Sequence, residues 1–379
     1  MNKAQDINGL RFIVTGGAGF IGTSFTQMLL GRGAHVKVLD ALTYAGNPAN
    51  LRDVLAPDDF IRGDIGDAVL VKRLLEDFNP HYIVNFAAES HVDRSVTDPA
   101  PFVTTNIVGT QTLLETVRRH ICENPGNSFR KFVQISTDEV YGDLEADFAE
   151  PVMADGETCR LLGRPALLYG EGSFSEESPL RPSSPYSASK TSADLMALAY
   201  ARTFGMPVVI TRCSNNYGPW QFPEKLIPLM INNLLEHRPL PVYGRGLNVR
   251  DWIHVDDHCA GVLAAAISGR PGEVYNFGGY SEKRNIDIVR ELIRTVAEIT
   301  GDTAIDESLI SYVKDRPGHD RRYAIDARKA MLELGWRPQV GFAEGLADTV
   351  SWYLDNRQWV SDIVGGQYRE YYKQMYFDR

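Results

Sequence analysis

The sequence predicts an α/β protein: a doubly wound parallel sheet followed by a smaller, mainly helical C-terminal lobe. Three observations carry this expectation. Short β-branched runs occur at 11–15, 36–40, 82–86, 132–136 and 208–212, and each of the first four precedes a helix-compatible segment. Such alternation is the mark of βαβ units. The runs Phe12-Ile13-Val14 and Val208-Val209-Ile210 are continuously apolar, as strands covered on both faces are. The pattern then changes after Pro219. Pro223, Pro228, Pro239 and Pro241 punctuate it, and helical stretches follow at about 256–267, 286–299 and 342–354. The expected division is therefore 1–219 for the sheet domain and 220–379 for the lobe. Residues 273–277 read as one more core strand, so about 251–279 is expected to return to the first domain and leave the lobe discontinuous.

Composition narrows the function classes. The chain has 379 residues, 39 Lys+Arg and 49 Asp+Glu, for a net charge of −10. That balance disfavours nucleic acid and anionic membrane surfaces as partners, since both are held by neutralising phosphate charge. No apolar run approaches the roughly 20 residues of a membrane span, and no secretory h-region precedes the first motif. Cys122, Cys159, Cys213 and Cys259 form no CxxC pair, so free thiols in a reducing cytoplasm are expected. The eight histidines contain no HExxH. His254 and His258 read as helix-entry and packing residues, and no metal site is expected.

The first strand runs into Thr15-Gly16-Gly17-Ala18-Gly19-Phe20-Ile21-Gly22, with Gly16, Gly19 and Gly22 in a G-x-x-G-x-x-G spacing. A tight turn, close approach of backbone to a pyrophosphate and close helix–strand packing all need glycine there, and the following helix N-terminus offers free N–H groups to the anion. Glycine-rich turns also serve structure alone, but here a second strand ends in Asp40, 18 residues after Gly22. An acid at that place binds a ribose diol and repels a 2′-phosphate. With Ala41 rather than Arg next to it, NAD is favoured over NADP and the sheet reads as Rossmann-type. Asp64 and Ile65 are candidates for adenine contact.

Two further segments bear chemistry. Tyr186 and Lys190 stand four residues apart and share a helix face. A phenol of pKa about 10 is lowered by a nearby ammonium and by a nicotinamide cation, which suits it to take a proton from a sugar hydroxyl during hydride transfer. The strand 132–136 runs directly into Thr137-Asp138-Glu139. Ligands in open α/β sheets bind beyond the carboxyl ends of strands, and two carboxylates whose environments separate their pKa values divide acid from base work. Helix capping by Thr137 or Asp138 is the competing reading of that triplet.

Taken together the chain resembles the extended short-chain dehydrogenase/reductase superfamily and, within it, the dTDP-glucose 4,6-dehydratases. The resemblance runs through TGGAGFIG (15–22), NFAAESHVDRS (85–95), TNIVGT (105–110), STDEVYG (136–142), SPYSASK (184–190), RCSNNYGPWQFPEKLIP (212–228), RDWIHVDDH (250–258), YNFGG (275–279) and DRPGHDRRYAID (315–326). The glycine loop and YxxxK are shared across the superfamily. The Thr-Asp-Glu triplet and DRPGHD belong to this branch, and sugar-nucleotide epimerases usually lack the acid pair.

The resemblance implies a mechanism. Tyr186, helped by Lys190, takes the C4 hydroxyl proton of the glucose while hydride passes to bound NAD. Thr137 hydrogen-bonds near O4. Glu139 removes the C5 hydrogen acidified by the 4-ketone, and Asp138 protonates the departing C6 hydroxyl. Hydride then returns to C6, so NAD is recycled within a turnover and stays tightly bound. The same resemblance implies that Gly16, Gly19, Phe20, Ile21, Gly22, Asp40, Thr43, Asp64, Ile65, Ala87, Thr105, Tyr186, Lys190 and Asn216 line the NAD site. It places Ser90, Thr137, Asn215, Lys225, Leu226, Pro241, Tyr243, Arg250, Asn285, Arg316 and His319 on the nucleotide-sugar substrate. Arg250 and Arg316 suit a pyrophosphate because a guanidinium donates in pairs. A homodimer formed through helices at about 101–120 and 186–203 is implied as well.

One stretch departs from the family pattern. Residues 145–175 exceed the usual length between STDEVYG and SPYSASK, and a cover over the sugar pocket or an interface is expected of them. A related UDP-sugar dehydratase, an epimerase or decarboxylase of the same superfamily, and a non-catalytic NAD-binding regulator are the alternatives.

Overall fold

The computed structural model describes residues 6–144, 151–315 and 318–363. Its centre is a sheet of seven parallel strands: β1 (Arg11–Thr15), β2 (His35–Asp40), β3 (Phe60–Arg62), β4 (Tyr82–Asn85), β5 (Lys131–Thr137), β6 (Val208–Cys213) and β7 (Val274–Phe277). In space they run β3-β2-β1-β4-β5-β6-β7. Chain order reverses between β1 and β4, and the crevice at such a switch point is where these sheets bind ligands. Register brings the functional ends level. Thr15 pairs with Leu39 and with Asn85, and Thr137 pairs with Cys213.

Period-two alternation assigns the two faces of the sheet. Phe12 and Val14 point to one face, where Phe25 and Leu29 of α1 (Phe20–Gly31) and Val262, Leu263 and Ala266 further along the chain close over them. Ile13, Ile83 and Phe132 point to the other. There they meet α2 (Ala68–Phe78), α3 (Thr110–Glu123) and α4 (Pro185–Phe204) through Leu75, Leu114, Val117 and Ala197. At the carboxyl ends of the central strands, buried polar side chains pair with one another, as burial favours. Thr15 Oγ1 donates to Asn85 Oδ1 (2.6 Å), and Asn85 Nδ2 donates to Gln134 Oε1 (2.9 Å).

A second core lies beyond the carboxyl ends of the strands. It is built on α5 (Leu226–Leu235), α7 (Asn285–Thr300) and α8 (Phe342–Asp355). In α7, Ile286, Val289, Ile293 and Val296 recur at helical spacing and face Ile227, Ile231, Leu346 and Val350. The lobe also holds a parallel strand pair, Leu240–Tyr243 with Ile310–Val313. Between them the chain returns to the sheet through α6 (Val255–Ser268) and β7. Among the described residues no helix is long and apolar enough to cross a membrane.

Candidate active site

The two cores flank a long cleft over the switch point, the place where such sheets bind ligands. All of Gly16, Gly19, Phe20, Ile21, Gly22, Asp40, Thr43, Asp64, Ile65, Ala87, Thr105 and Asn216 line it, together with Thr137, Asp138, Glu139, Tyr186 and Lys190.

One end of the cleft is the glycine turn. A Cβ on Gly16 would stand 2.6 Å from the Ala87 nitrogen, and one on Gly22 would stand 2.2 Å from the Gly16 oxygen. Only glycine permits this approach of β1, α1 and β4. The α1 N-terminus has no side-chain cap and no acid in its first turn, so its leading N–H groups and positive dipole end are available to an anion. Asp40 closes the same end. Its Oδ2 accepts the Ala18 N–H (2.9 Å) and its Oδ1 accepts the Leu42 N–H (2.8 Å). Each carboxylate oxygen keeps a lone pair for a hydroxyl donor. A dinucleotide with a free ribose diol fits this cradle.

The other end is catalytic in character. Helix α4 starts cleanly: Ser184 and Ser187 form a capping box, Pro185 sits in the first turn and Gly205 closes the C-terminus in a left-handed conformation. Tyr186 and Lys190 therefore fall on its buried side, 8% and 5% exposed. Next to α4 the chain takes a π-helical turn at Val103–Gly109, a form common at functional sites. From it Asn106 grips the Glu89 backbone at both N–H and C=O (2.9 Å each) and donates to Ser189 Oγ (2.8 Å).

The electrostatics differ from expectation at Tyr186. Burial, then Glu139, Cys213 and Asp138, push its phenol well above the ordinary value, and a hydrogen bond with Thr137 opposes this. Lys190 Nζ donates to the Ile135 carbonyl (2.7 Å), and burial lowers its own pKa. That bond anchors the ammonium at the end of β5. Burial, then Glu139, raise the pKa of Asp138 well above the ordinary range, with Arg250 opposing and Asp251 adding. Its Oδ1 accepts from Thr137 Oγ1 (3.2 Å), while Oδ2 is buried without a protein partner. A proton donor aimed at a bound group has this form.

The residues expected on the substrate divide. Ser90, Asn215 and Lys225 line the cleft, and Lys225 Nζ donates to the Ser90 carbonyl (3.1 Å), bridging sheet domain and lobe. Leu226, Pro241, Tyr243, Arg250, Asn285 and His319 do not line it. Pro241 is buried in its strand, and Leu226 opens α5 against the lobe core. Tyr243 Oη donates to Asp93 Oδ2 (3.3 Å) and its ring meets His319 edge-on at 6.0 Å, while His319 Nδ1 lies 2.6 Å from Asp315. Asn285 Oδ1 is buried without a protein partner. Arg250, expected on a pyrophosphate, donates to the carbonyls of Val249 (2.7 Å) and Asp320 (2.9 Å) and lies over the Tyr323 ring. Arg316 lies outside the described residues.

The cleft also contains residues the sequence reading passed over. Tyr44, Glu89, Gln221, Phe222 and Glu224 line it. Glu224 meets Arg94 (3.2 Å), and the Arg94 guanidinium lies 4.1 Å from the centre of the Tyr44 ring. Glu89 and Glu224 stand inside quoted motifs, so the signal was an acid next to an assigned residue. Among the described residues of the extension, 151–175, none lines the cleft. Its Ala154, Leu162 and Ala166 pack on Phe277, Met331 and Trp336 behind β7.

A glycine-cradled dinucleotide site joined to a Tyr-Lys pair and an acid pair defines an NAD-linked sugar-modifying class. The chain belongs to the NAD dependent epimerase/dehydratase family, whose model matches residues 12–278. Among its relatives, a dTDP-glucose 4,6-dehydratase of Xanthomonas campestris pv. campestris (strain B100) is 48% identical, covering 94% of this chain and 97% of that one. The Salmonella typhimurium dTDP-glucose 4,6-dehydratase is 44% identical over 98% of this chain and 100% of its own. A crystal structure of a dTDP-glucose 4,6-dehydratase from Streptomyces venezuelae, with NAD and TYD bound, superposes with a TM-score of 0.80. It is 46% identical and covers 93% of this chain and 100% of that one.

Proposed function

We propose that this chain is a hydro-lyase that removes water from dTDP-glucose, using NAD, to give the 4-keto-6-deoxy nucleotide sugar. The observation that carries the reading is the placement of a buried Asp138 beside Glu139 in the same cleft as Tyr186 and Lys190. An epimerase needs only an oxidising pair. Elimination beside a carbonyl needs a separate base and acid as well.

NAD, when bound, supplies a hydride acceptor that is regenerated before the product leaves. The glycine turn and α1 N-terminus hold its pyrophosphate, and Asp40 takes its ribose diol. Tyr186 accepts the C4 hydroxyl proton as the phenolate, the form that the positive charges of bound NAD and of Lys190 favour against its burial. Thr137 hydrogen-bonds the C4 oxygen. With the C4 ketone formed, Glu139 takes the C5 proton and Asp138 gives its proton to the C6 oxygen, which departs as water. Glu139 returns a proton to C5 as C6 is reduced. Ser90, Asn215 and Lys225 contact the substrate where the lobe meets the sheet domain. Leu226, Pro241, Tyr243, Arg250, Asn285, Arg316 and His319 are assigned to its nucleotide side by their match to the family's motifs.

In this reading 1–219 with about 251–279 serves NAD, and the rest of 220–379 serves the nucleotide sugar. The protein works as a homodimer through the helices at 101–120 and 186–203, where Val103, Val108 and Leu195 are exposed apolar residues. Its four free cysteines suit the cytoplasm.

The test is a panel of dTDP- and UDP-sugars with wild type and Glu139→Gln. Wild type should convert dTDP-glucose to a product lighter by one water. The variant should oxidise C4 and stall, leaving reduced nicotinamide on the protein. A C4 epimer of unchanged mass from wild type, or full turnover by the variant, refutes the reading.

A further inference from the structure

The acid–base pair sits on a short local structure. Residues Asp138–Tyr141 make a single 3₁₀ turn, closed at its ends by the Gly142 N–H to the Glu139 carbonyl (3.3 Å) and the Glu139 N–H to Thr137 Oγ1 (3.3 Å). Catalytic groups must be held within about 0.5 Å of their working geometry. A single turn needs support from outside as well: the Arg181 N–H donates to the Val140 carbonyl (3.0 Å), and a larger set of contacts gathers on the last residue of the turn. Tyr141 is 1% exposed. Its hydroxyl donates to Asn276 Oδ1 (2.8 Å) and accepts from Arg212 (3.0 Å), and Arg212 is itself held by a buried pair with Asp194 (2.9 Å). Its ring stacks on Phe174, with centres 5.0 Å apart and planes 18° from parallel.

The segment that follows the extension's small helix supplies three of these supports. Phe174 provides the stacking surface, and its carbonyl accepts from Asn276 Nδ2 (3.1 Å). Glu176 accepts the Asn276 N–H (2.8 Å), which fixes the amide that holds the Tyr141 hydroxyl. Phe174 is itself clamped. Its N–H donates to the Ala324 carbonyl (2.9 Å), and its carbonyl also accepts the Asp326 N–H (2.8 Å). A little upstream, the carbonyls of Glu171 and Gly172 accept from Arg322 (3.3 and 3.1 Å), whose guanidinium forms a fully buried two-point pair with Glu282 (2.8 Å each). The same stretch of chain around Arg322 offers the Asp320 carbonyl to Arg250.

We propose that residues 171–176 position the acid–base turn from behind the sheet, with Phe174 acting through Tyr141 on Asp138 and Glu139. The extension is then a brace, and Phe174 is a positioning residue for elimination. This rests on the dehydratase reading above. The brace reaches the turn, whereas Tyr186 and Lys190 ride on α4 with its own capping box. Loss of Phe174 should therefore slow elimination and spare C4 oxidation. A displacement of about 1 Å costs on the order of 100-fold in such a step.

The experiment compares wild type, Phe174→Ala, Phe174→Tyr, Tyr141→Phe and Val152→Ser with dTDP-glucose. It follows steady-state kcat and KM, reduced nicotinamide in a single turnover, and thermal melting. The expected result for Phe174→Ala is a kcat lower by about 100-fold, an unchanged KM, and reduced nicotinamide that forms at the wild-type rate and persists. Phe174→Tyr, which keeps the ring, should restore kcat. Tyr141→Phe should lose activity in the same direction by less, and Val152→Ser on the exposed hairpin should match wild type. A raised KM with kcat intact in Phe174→Ala would make the extension a substrate contact and overturn the proposal. Equal slowing of oxidation and elimination, or failure of Phe174→Tyr to rescue, overturns it too, by reducing the role to general stability. If wild type dehydrates and Phe174→Ala does so equally well, only this proposal fails. If wild type releases no water, the dehydratase reading fails and takes this proposal with it.

Discussion

Replacing Gly22 by Ala tests the dinucleotide cradle most directly. The added methyl would lie 2.2 Å from the Gly16 carbonyl oxygen and 2.8 Å from Gly17 Cα, where ordinary contact begins at 3.4 Å. The shortfall at the oxygen is 1.2 Å (3.4 less 2.2). Both crowded atoms are backbone, so no side chain can swing aside. Turn and helix must part, which moves the N–H groups that would grip the pyrophosphate. Overpacking of this kind costs about 1–3 kcal/mol. Charged wholly to the NAD-bound form, that is a loss of roughly 5- to 150-fold in affinity. Gly31→Ala, at the far end of α1, is the matched control, because its methyl would meet nothing within 4 Å. The assay is NAD recovered per chain after desalting, with a titration of stripped protein and a melting curve alongside. Gly22→Ala should lose NAD and Gly31→Ala should keep it. Full retention by Gly22→Ala, or equal damage in both variants, would refute the argument from close approach.

Two further outcomes follow from buried titrating groups. Burial and Glu139 raise the pKa of Asp138 well above the ordinary range, and a general acid works only while protonated, so elimination should slow as pH rises through that raised pKa. Asp138→Asn should lower elimination by about 10²–10⁴-fold and abolish that alkaline limb in a pH–rate profile; a limb that persists in the variant contradicts the assignment. Lys131 Nζ caps the end of α6 at the carbonyls of Ala265 and Gly269, and burial lowers its pKa from 10.5 to about 8. Between those values the unfolded chain binds more protons than the folded one, so this group makes stability rise with pH across that window. Denaturant melts of Lys131→Met over the same range should lack that slope, and an unchanged slope would show that Lys131 does not carry it.

Much of the fold was legible because its signals are local. The β-branched runs became β1, β2, β4, β5 and β6, each within two residues of the expected bounds. A strand buried on both faces has to be apolar throughout, and that is visible without a partner. The glycine turn was legible for a similar reason, since the close contacts of Gly16 and Gly22 exclude every side chain. Strand β3 has three residues and a helix bounded by glycines hides inside the extension. Neither is long enough to show a period. At the site, Tyr44, Glu89 and Glu224 went unassigned because each acts across a gap between distant segments. The Glu224–Arg94 pair joins residues 130 positions apart.

By itself the sequence determined the chemical parts: a glycine turn that only glycine can make, an acid ending β2, a Tyr–Lys pair one helical turn apart, and two adjacent carboxylates after a buried strand. These depend on spacing along one element, and spacing is written in the chain. The tertiary structure alone decided how the parts are tuned. It turned Lys190 toward the Ile135 carbonyl, raised Tyr186 and Asp138 by burial, withdrew Arg250 onto backbone carbonyls, and set the extension behind the sheet instead of over the cleft. Desolvation and charge–charge terms depend on what surrounds a group in space, and those neighbours come from segments separated by tens to hundreds of residues.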